Sequence, residues 1–158
     1  MSFCIRRDDL AGEQTRELLR LHLQGMHASS PPGHSFALDL SGLQQPDVTV
    51  WSAWDGERIA AVGALKALDD GSGEVKSMRT HPDFLRRGVG AALLETIIAE
   101  ARARDYARLS LETGTGDAFK AALAMYRKRG FVSGEAFADY EASAFNQFFH
   151  LQLGGPDV

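Results

Sequence analysis

The segment Met78 to Ala91, reading Met-Arg-Thr-His-Pro-Asp-Phe-Leu-Arg-Arg-Gly-Val-Gly-Ala, restricts the possible folds more than any other part of the chain. A strand runs into Arg86, Arg87, Gly88 and Gly90. The apolar positions Ala91, Ala92, Leu93, Leu94, Ile97 and Ile98 then follow as the face of a helix. A strand, a glycine-bearing turn and a helix start in that order expose the free N–H groups of the first helical turn. An anion docked there gains several donors and the favourable end of the helix dipole. Positive charge is disfavoured at that end of a helix, so Arg86 and Arg87 are better explained by an anion between them than by a solvated helix start.

Two common phosphate loops do not match. A dinucleotide fingerprint requires a third glycine where Leu93 stands, and a P-loop requires Gly-Lys-Ser/Thr, which the chain lacks. At 158 residues the chain is long enough for one domain with a substantial core and too short for two typical ones, so residues 1–158 are expected to form one domain. A net charge of −4 argues against a broad basic face for nucleic acid. A local basic groove around Arg79, Arg86 and Arg87 suits a phosphorylated cofactor better. The single cysteine, Cys4, excludes an internal disulfide and a cysteine-based metal cluster, and His34, His81 and His150 are too scattered to suggest a metal. No apolar run approaches membrane-spanning length and the N-terminus lacks the order of a signal peptide, so the expected location is cytoplasmic.

Along the chain, Phe3-Cys4-Ile5 reads as an edge strand, and Asp8 or Asp9 as the cap of a helix carrying Leu18, Leu19, Leu21, Leu23 and Met26. Ser29-Ser30-Pro31-Pro32-Gly33 stops it. A polar stretch from His34 to Asp47 holds at most a short helix around Phe36 to Leu43. Val48 to Thr80 reads as three antiparallel strands, with turns at Asp55-Gly56 and Asp69-Asp70-Gly71-Ser72-Gly73. A helix from about Arg87 to Arg104, a strand at Leu109 to Glu112, a helix from Ala118 to Arg129 stopped by Gly130, and strands within Phe131 to Ala136 and Ala144 to Leu153 complete the reading. Gly154 to Val158 is expected to be a frayed tail. The result is an α/β chain of order β-α-(α)-β-β-β-α-β-α-β-β, with a mixed central sheet flanked by helices.

The loop at Leu85 to Gly90 resembles the Gln/Arg-x-x-Gly-x-Gly/Ala motif of the GCN5-related N-acetyltransferases (GNAT), and Met125-Tyr126-Arg127-Lys128-Arg129-Gly130-Phe131 resembles their Leu-Tyr-x-x-x-Gly-Phe element. Two motifs in the right order are far more specific than one. Runs such as Trp51-Ser52-Ala53-Trp54, Lys76-Ser77-Met78-Arg79-Thr80, Leu109-Ser110-Leu111-Glu112-Thr113-Gly114 and Phe137-Ala138-Asp139-Tyr140 are similar to a bacterial subgroup of uncharacterised acetyltransferases of the YsnE type. There are departures. Leu85 stands where the family prefers Gln or Arg, and Phe119 where many members carry Asn.

The resemblance implies the acyl-CoA N-acyltransferase fold and acetyl-CoA as cosubstrate without a metal. It assigns Met78, Arg79, Thr80, Arg86, Arg87, Gly88, Val89, Gly90, Ala91, Phe119 and Tyr126 to the cofactor. In the family a bulge splays the central strand, leaving N–H groups near Met78 and Thr80 for the acetyl carbonyl and the pantetheine arm. Tyr126 is the tyrosine of the matched motif and would protonate the coenzyme A sulfur, a phenol of pKa about 10 being able to protonate a thiolate. Packing alone is the ordinary role of such a tyrosine. Glu74 lies where some members carry a catalytic base. Strict alternation puts Glu74, Lys76, Met78 and Thr80 on one face, with Lys76 holding Glu74 ionised. Glu112 is the rival base, and a water relay is the third possibility.

His22 and His27 would face the acceptor from the first helix, although such histidines more often serve the core. They lack the i, i+4 spacing of a helical zinc site. Tyr140 would close the acceptor pocket or pack as an aromatic corner. Arg79, Lys66 and Lys76 suit an acidic acceptor, whereas Glu74, Glu112 and Asp139 suit a cationic amine. The expected activity is acetyl transfer to a primary amine of a small molecule. Acetylation of a protein or peptide and a non-catalytic acyl-CoA-binding module remain the alternatives. Phe145, Phe148 and Phe149 would support a homodimer or fill the core.

Overall fold

The computed structural model describes residues 3–30 and 38–154. His34, the start of the short helix expected around Phe36, and the tail from residue 155 lie outside the described residues. The strands are β1 (Cys4–Arg7), β2 (Val48–Asp55), β3 (Arg58–Ala67), β4 (Gly73–Thr80), β5 (Arg108–Gly114), β6 (Val132–Gly134) and β7 (Asn146–Gln152). The helices are α1 (Glu13–Ala28), α2 (Leu40–Leu43), α3 (Val89–Ala103) and α4 (Lys120–Arg129). All seven strands join one sheet in the order β1-β2-β3-β4-β5-β7-β6. The β4–β5 contact is parallel and the other pairings are antiparallel.

The sheet is buried on both faces, as a mixed sheet of this kind requires. On one face Leu93, Leu94, Ile97 and Ile98 of α3 and Leu123 and Tyr126 of α4 pack on Trp51, Ala53, Leu65, Val75, Leu109 and Leu111. On the other, Leu18 and Leu19 of α1 and Leu43 of α2 cover Val50, Ile59, Val62 and Ala64. Helices α1 and α2 are therefore separated from α3 and α4 by the sheet.

Three sequence expectations shift. α1 begins at Gly12, whose position as N-cap has no side-chain cap bond, and neither Asp8 nor Asp9 caps it. Instead the Asp8 carboxylate accepts from the Leu10 amide, Thr15 Oγ1 and Ser52 Oγ, tying the first turn of α1 to β2. α3 starts two positions later than expected, because Arg86 (φ 63°) and Gly88 (φ 82°) are left-handed and cannot belong to the helix. Phe148 and Phe149 are core residues of β7 rather than a dimer face.

The strict alternation expected for β4 also fails. Val62 pairs with Arg79 but Ala64 pairs with Lys76, so β4 carries one residue more than β3 across this step. Ser77, at φ 57°, takes up that extra residue in a bulge. Beyond it the sidedness reverses. A Cβ on Gly63 would meet Met78 Sδ together with Leu93 and Ile97 of α3, and one on Gly90 would meet Thr80 Oγ1. Arg79 instead bonds His22 of α1. Glu74, Lys76 and Arg79 thus belong with the α1 side, and Met78 and Thr80 with the α3 side.

Candidate active site

Strands β4 and β5 pair only at Gly73↔Leu109 and Glu74↔Ser110, then part. The bulge at Ser77 bends β4 away from β5, as bulges do. The resulting wedge is lined along its edges by Val75 to Met78 and by Leu111 to Thr113. His22 and Met26 of α1 wall it on one side, and Phe119, Ala122 and Tyr126 on the other, so one cavity passes through the sheet from the α1 side to the α4 side. Ser77 Oγ is buried in its lining without a hydrogen-bond partner among the described residues. An orphaned buried hydroxyl costs about 1–3 kcal/mol, which a ligand entering the wedge would recover.

The expected anion loop is formed as its residues dictate. Gly88, as N-cap, makes no side-chain cap bond, and the first intrahelical bond runs from the Ala92 amide to the Gly88 carbonyl at 3.0 Å. The N–H groups of Val89, Gly90 and Ala91 therefore stand at the open end of α3. Gly90 is closely packed, since a Cβ there would lie 3.3 Å from Met125 Sδ and 3.4 Å from Thr80 Oγ1. The helix start, β4 after the bulge and α4 thus converge on the α3 side of the wedge. Arg86 is exposed, and the Arg87 guanidinium lies 5.4 Å from the centre of the Phe84 ring. Gly114 has a different reason to be glycine: a Cβ would fall 2.2 Å from the Phe119 ring, which sits against β5 on the cavity wall.

Two carboxylates flank the wedge. Glu74 is almost fully buried, accepting from Lys76 Nζ at 3.2 Å and from the Tyr140 hydroxyl at 2.5 Å, while Lys76 Nζ donates to the Tyr140 oxygen at 2.7 Å. Burial, and then the Glu74 carboxylate, push the Tyr140 phenol well above its usual range, so it stays a donor. Glu112 is instead on the cavity lining, and its pKa is pushed up to about 7, chiefly by burial and further by Glu74, with Lys76 pulling the other way. His22 is held down to about 4 by burial and then by Arg79 and Lys76, so its ring is neutral at neutral pH. Tyr126 is pushed above its ordinary range by burial alone.

The acetyltransferase (GNAT) family model matches residues 13–131. The chain belongs to that family. It is 48% identical over 151 residues to an uncharacterized N-acetyltransferase YedL of Escherichia coli, spanning 96% of this chain and 95% of that protein. It is also 48% identical over 149 residues to an uncharacterized N-acetyltransferase YsnE of Bacillus subtilis, spanning 94% and 99%. Among solved structures, a Klebsiella pneumoniae protein described as an acyl-CoA N-acyltransferase superposes with a TM-score of 0.81 at 26% identity, covering 96% of this chain and 98% of that one. The GNAT fold expected from the two motifs is the fold observed, and a GNAT family acetyltransferase of Elizabethkingia anophelis solved with acetyl-CoA bound shares it, with a TM-score of 0.70 at 17% identity, covering 96% of this chain and 98% of that one.

Within this GNAT fold the wedge gathers His22, Met78, Glu112, Phe119 and Tyr126 from the residues singled out by sequence. Thr80, Val89, Gly90 and Ala91 lie beside it at the α3 start. His27 does not join them: it is exposed in the last turn of α1 and absent from the lining. Tyr140 does not line the cavity either. It stands behind Glu74 and Lys76, placed there by Phe137, whose ring is 5.1 Å from its own. Glu74 sits in the same layer. Sequence reasoning missed Ser77, the residue around which the wedge is built, and no glycine or asparagine marks its left-handed position.

Proposed function

We propose that this enzyme transfers the acetyl group of acetyl-CoA directly to a primary amine of a small-molecule acceptor, with both substrates bound at once. Acetyl-CoA supplies an activated thioester; Val89, Gly90 and Ala91, with Arg86 and Arg87, would hold its phosphates at the start of α3. The Ser77–Met78 bulge, lifted out of the regular ladder, would supply backbone donors to the thioester carbonyl oxygen as charge develops on it. His22 and Met26 wall the α1 side of the wedge, which favours a compact acceptor over a peptide chain.

Glu112 is the general base of this reading, and its position carries it: a carboxylate in the wedge whose pKa stands at about 7 is half ionised at neutral pH and can both take and return a proton. It takes the proton lost by the amine nitrogen as the N–C bond forms. Glu74 serves differently, as the buried counter-ion of Lys76 beneath the wedge. Tyr126 lines the cofactor side and donates a hydrogen bond to the sulfur as the C–S bond breaks. Its pKa lies far above the ~8.5 of an ordinary thiol, so the phenol stabilises the leaving sulfur without surrendering its proton outright.

The test is release of free coenzyme A from acetyl-CoA with a panel of amines, amino acids and polyamines. Glu112→Gln should lower turnover by about 10²–10⁴-fold, and Tyr126→Phe by about tenfold, the loss of one hydrogen bond to the leaving group. If Glu74→Gln abolishes turnover while Glu112→Gln leaves it intact, the base is Glu74. Binding of acetyl-CoA with no transfer to any amine would favour the binding-module alternative.

A further inference from the structure

Behind the α1 side of the wedge lies a cation with no ion pair among the described residues. Arg79 is half-buried, yet no carboxylate among the described residues pairs with it. Its guanidinium spends two donors on one residue: Nε donates to His22 Nδ1 at 3.1 Å, and a terminal nitrogen donates to the His22 carbonyl at 3.3 Å. α1 is built to allow this, because at Gly25 a Cβ would come within 2.6 Å of the same guanidinium nitrogen.

A guanidinium can only donate, so His22 Nδ1 must present a lone pair and the ring proton must sit on Nε2. His22 lines the wedge, as does Glu112 on β5. The α1 wall therefore offers a fixed N–H donor backed by a positive charge that lacks a counter-ion among the described residues, while β5 offers the base. The neighbouring charges do not cancel Arg79, since Glu74 is already committed to Lys76. Ser77 Oγ, buried and unpartnered in the same cavity, is a second group awaiting a polar ligand. A half-buried charge with no ion pair among the described residues is costly, and an arriving anion lowers that cost.

We infer that the acceptor is an amino acid or a close analogue, an amine that also carries a carboxylate, and that the carboxylate seats against His22 Nε2–H with Arg79 behind it. One N–H donor and one positive charge without an ion pair among the described residues match a monoanion rather than a phosphate dianion. Arg79 is a positioning residue here: it fixes the tautomer and orientation of His22 and supplies the charge. The inference rests on the acetyl-transfer reading above and names the substrate class for that site.

The test uses matched sets of an α-amino acid, its primary amide and the amine lacking the carboxyl group, each assayed for coenzyme A release, with acetyl-CoA binding followed by calorimetry. The expected result is a preference for the acid of about 30–100-fold in kcat/KM, expressed mainly in KM, as for a hydrogen-bonded charge pair. Arg79→Gln and His22→Gln should each collapse that preference while retaining acetyl-CoA binding and a cooperative melt, and Arg79→Lys should restore part of it. Equal turnover of acid, amide and amine overturns the carboxylate subsite and leaves acetyl transfer standing. A preference undiminished in both variants overturns its placement at His22 and Arg79. Tight acetyl-CoA binding with no turnover of any member removes the acetyl-transfer reading, and this inference with it.

Discussion

Glu74 and Glu112 stand on adjacent strands on opposite sides of the point where pairing stops, and their surroundings differ as much as two carboxylates in one fold can. Glu74 occupies the last paired rung, against Ser110, and its Oε2 accepts from both Lys76 and Tyr140. Glu112, two residues beyond Ser110, faces the wedge with its pKa raised to about 7. A buried carboxylate whose Oε2 accepts from both an ammonium and a phenol is a structural anion. One that burial leaves on the edge of ionisation, in contact with a cavity, is the reagent of the mechanism proposed above.

The largest effect should come from removing the reagent. Glu112→Gln is expected to lower kcat/KM by about 10³-fold in a coenzyme A release assay with little change in melting temperature. A comparable loss of stability instead would erase the distinction. Removing the structural anion should do the reverse: Glu74→Ala leaves the buried Lys76 ammonium without that carboxylate and should cost about 3 kcal/mol in denaturant unfolding. If the variant melts like wild type, the Glu74–Lys76 pair does not hold the wedge floor.

The comparison sharpens with pH. Glu112 works as a base only when ionised, so activity should be present above pH 7 and fall by roughly 50-fold between pH 7 and pH 5. A profile flat over that range in wild type, or unchanged in Glu112→Gln, would remove Glu112 as the base. Stability runs in the opposite direction. The folded chain binds more protons than the unfolded one between the ordinary 4.5 and about 7, so this group stabilises the fold as pH falls through that window. Glu112→Gln should flatten that part of the stability curve. The smallest effect is expected for Tyr140→Phe, which deletes the hydrogen bonds to Glu74 and from Lys76 and should cost about 1–2 kcal/mol of stability while leaving kcat within a few-fold. A loss of activity as large as that of Glu112→Gln would place Tyr140 in the chemistry.

Local signals made most of the fold legible. Gly88 and Gly130 mark helix ends by conformations that few other residues adopt, and the turns at Gly56 and Gly71 are left-handed as their sequences suggest. The start of α3 with its open backbone donors was readable for the same reason, since donors at a helix start follow from chain order alone. The α1 side of the wedge was not. Its organisation depends on Tyr140 meeting Glu74 from sixty-six positions away, and on a bulge at Ser77 that carries no sequence mark. Alternation correctly placed Lys76 beside Glu74, then failed for Met78 and Thr80 once the extra residue intervened.

That extra residue acts like a half-turn in a two-sided ribbon: every position after it shows the opposite face. Because of it, Met78 and Arg79 are chain neighbours on opposite faces of the sheet, one turned toward α3 and the other toward His22 of α1. A short strand can thereby be altered for one partner, position by position, without disturbing the face it turns to the other.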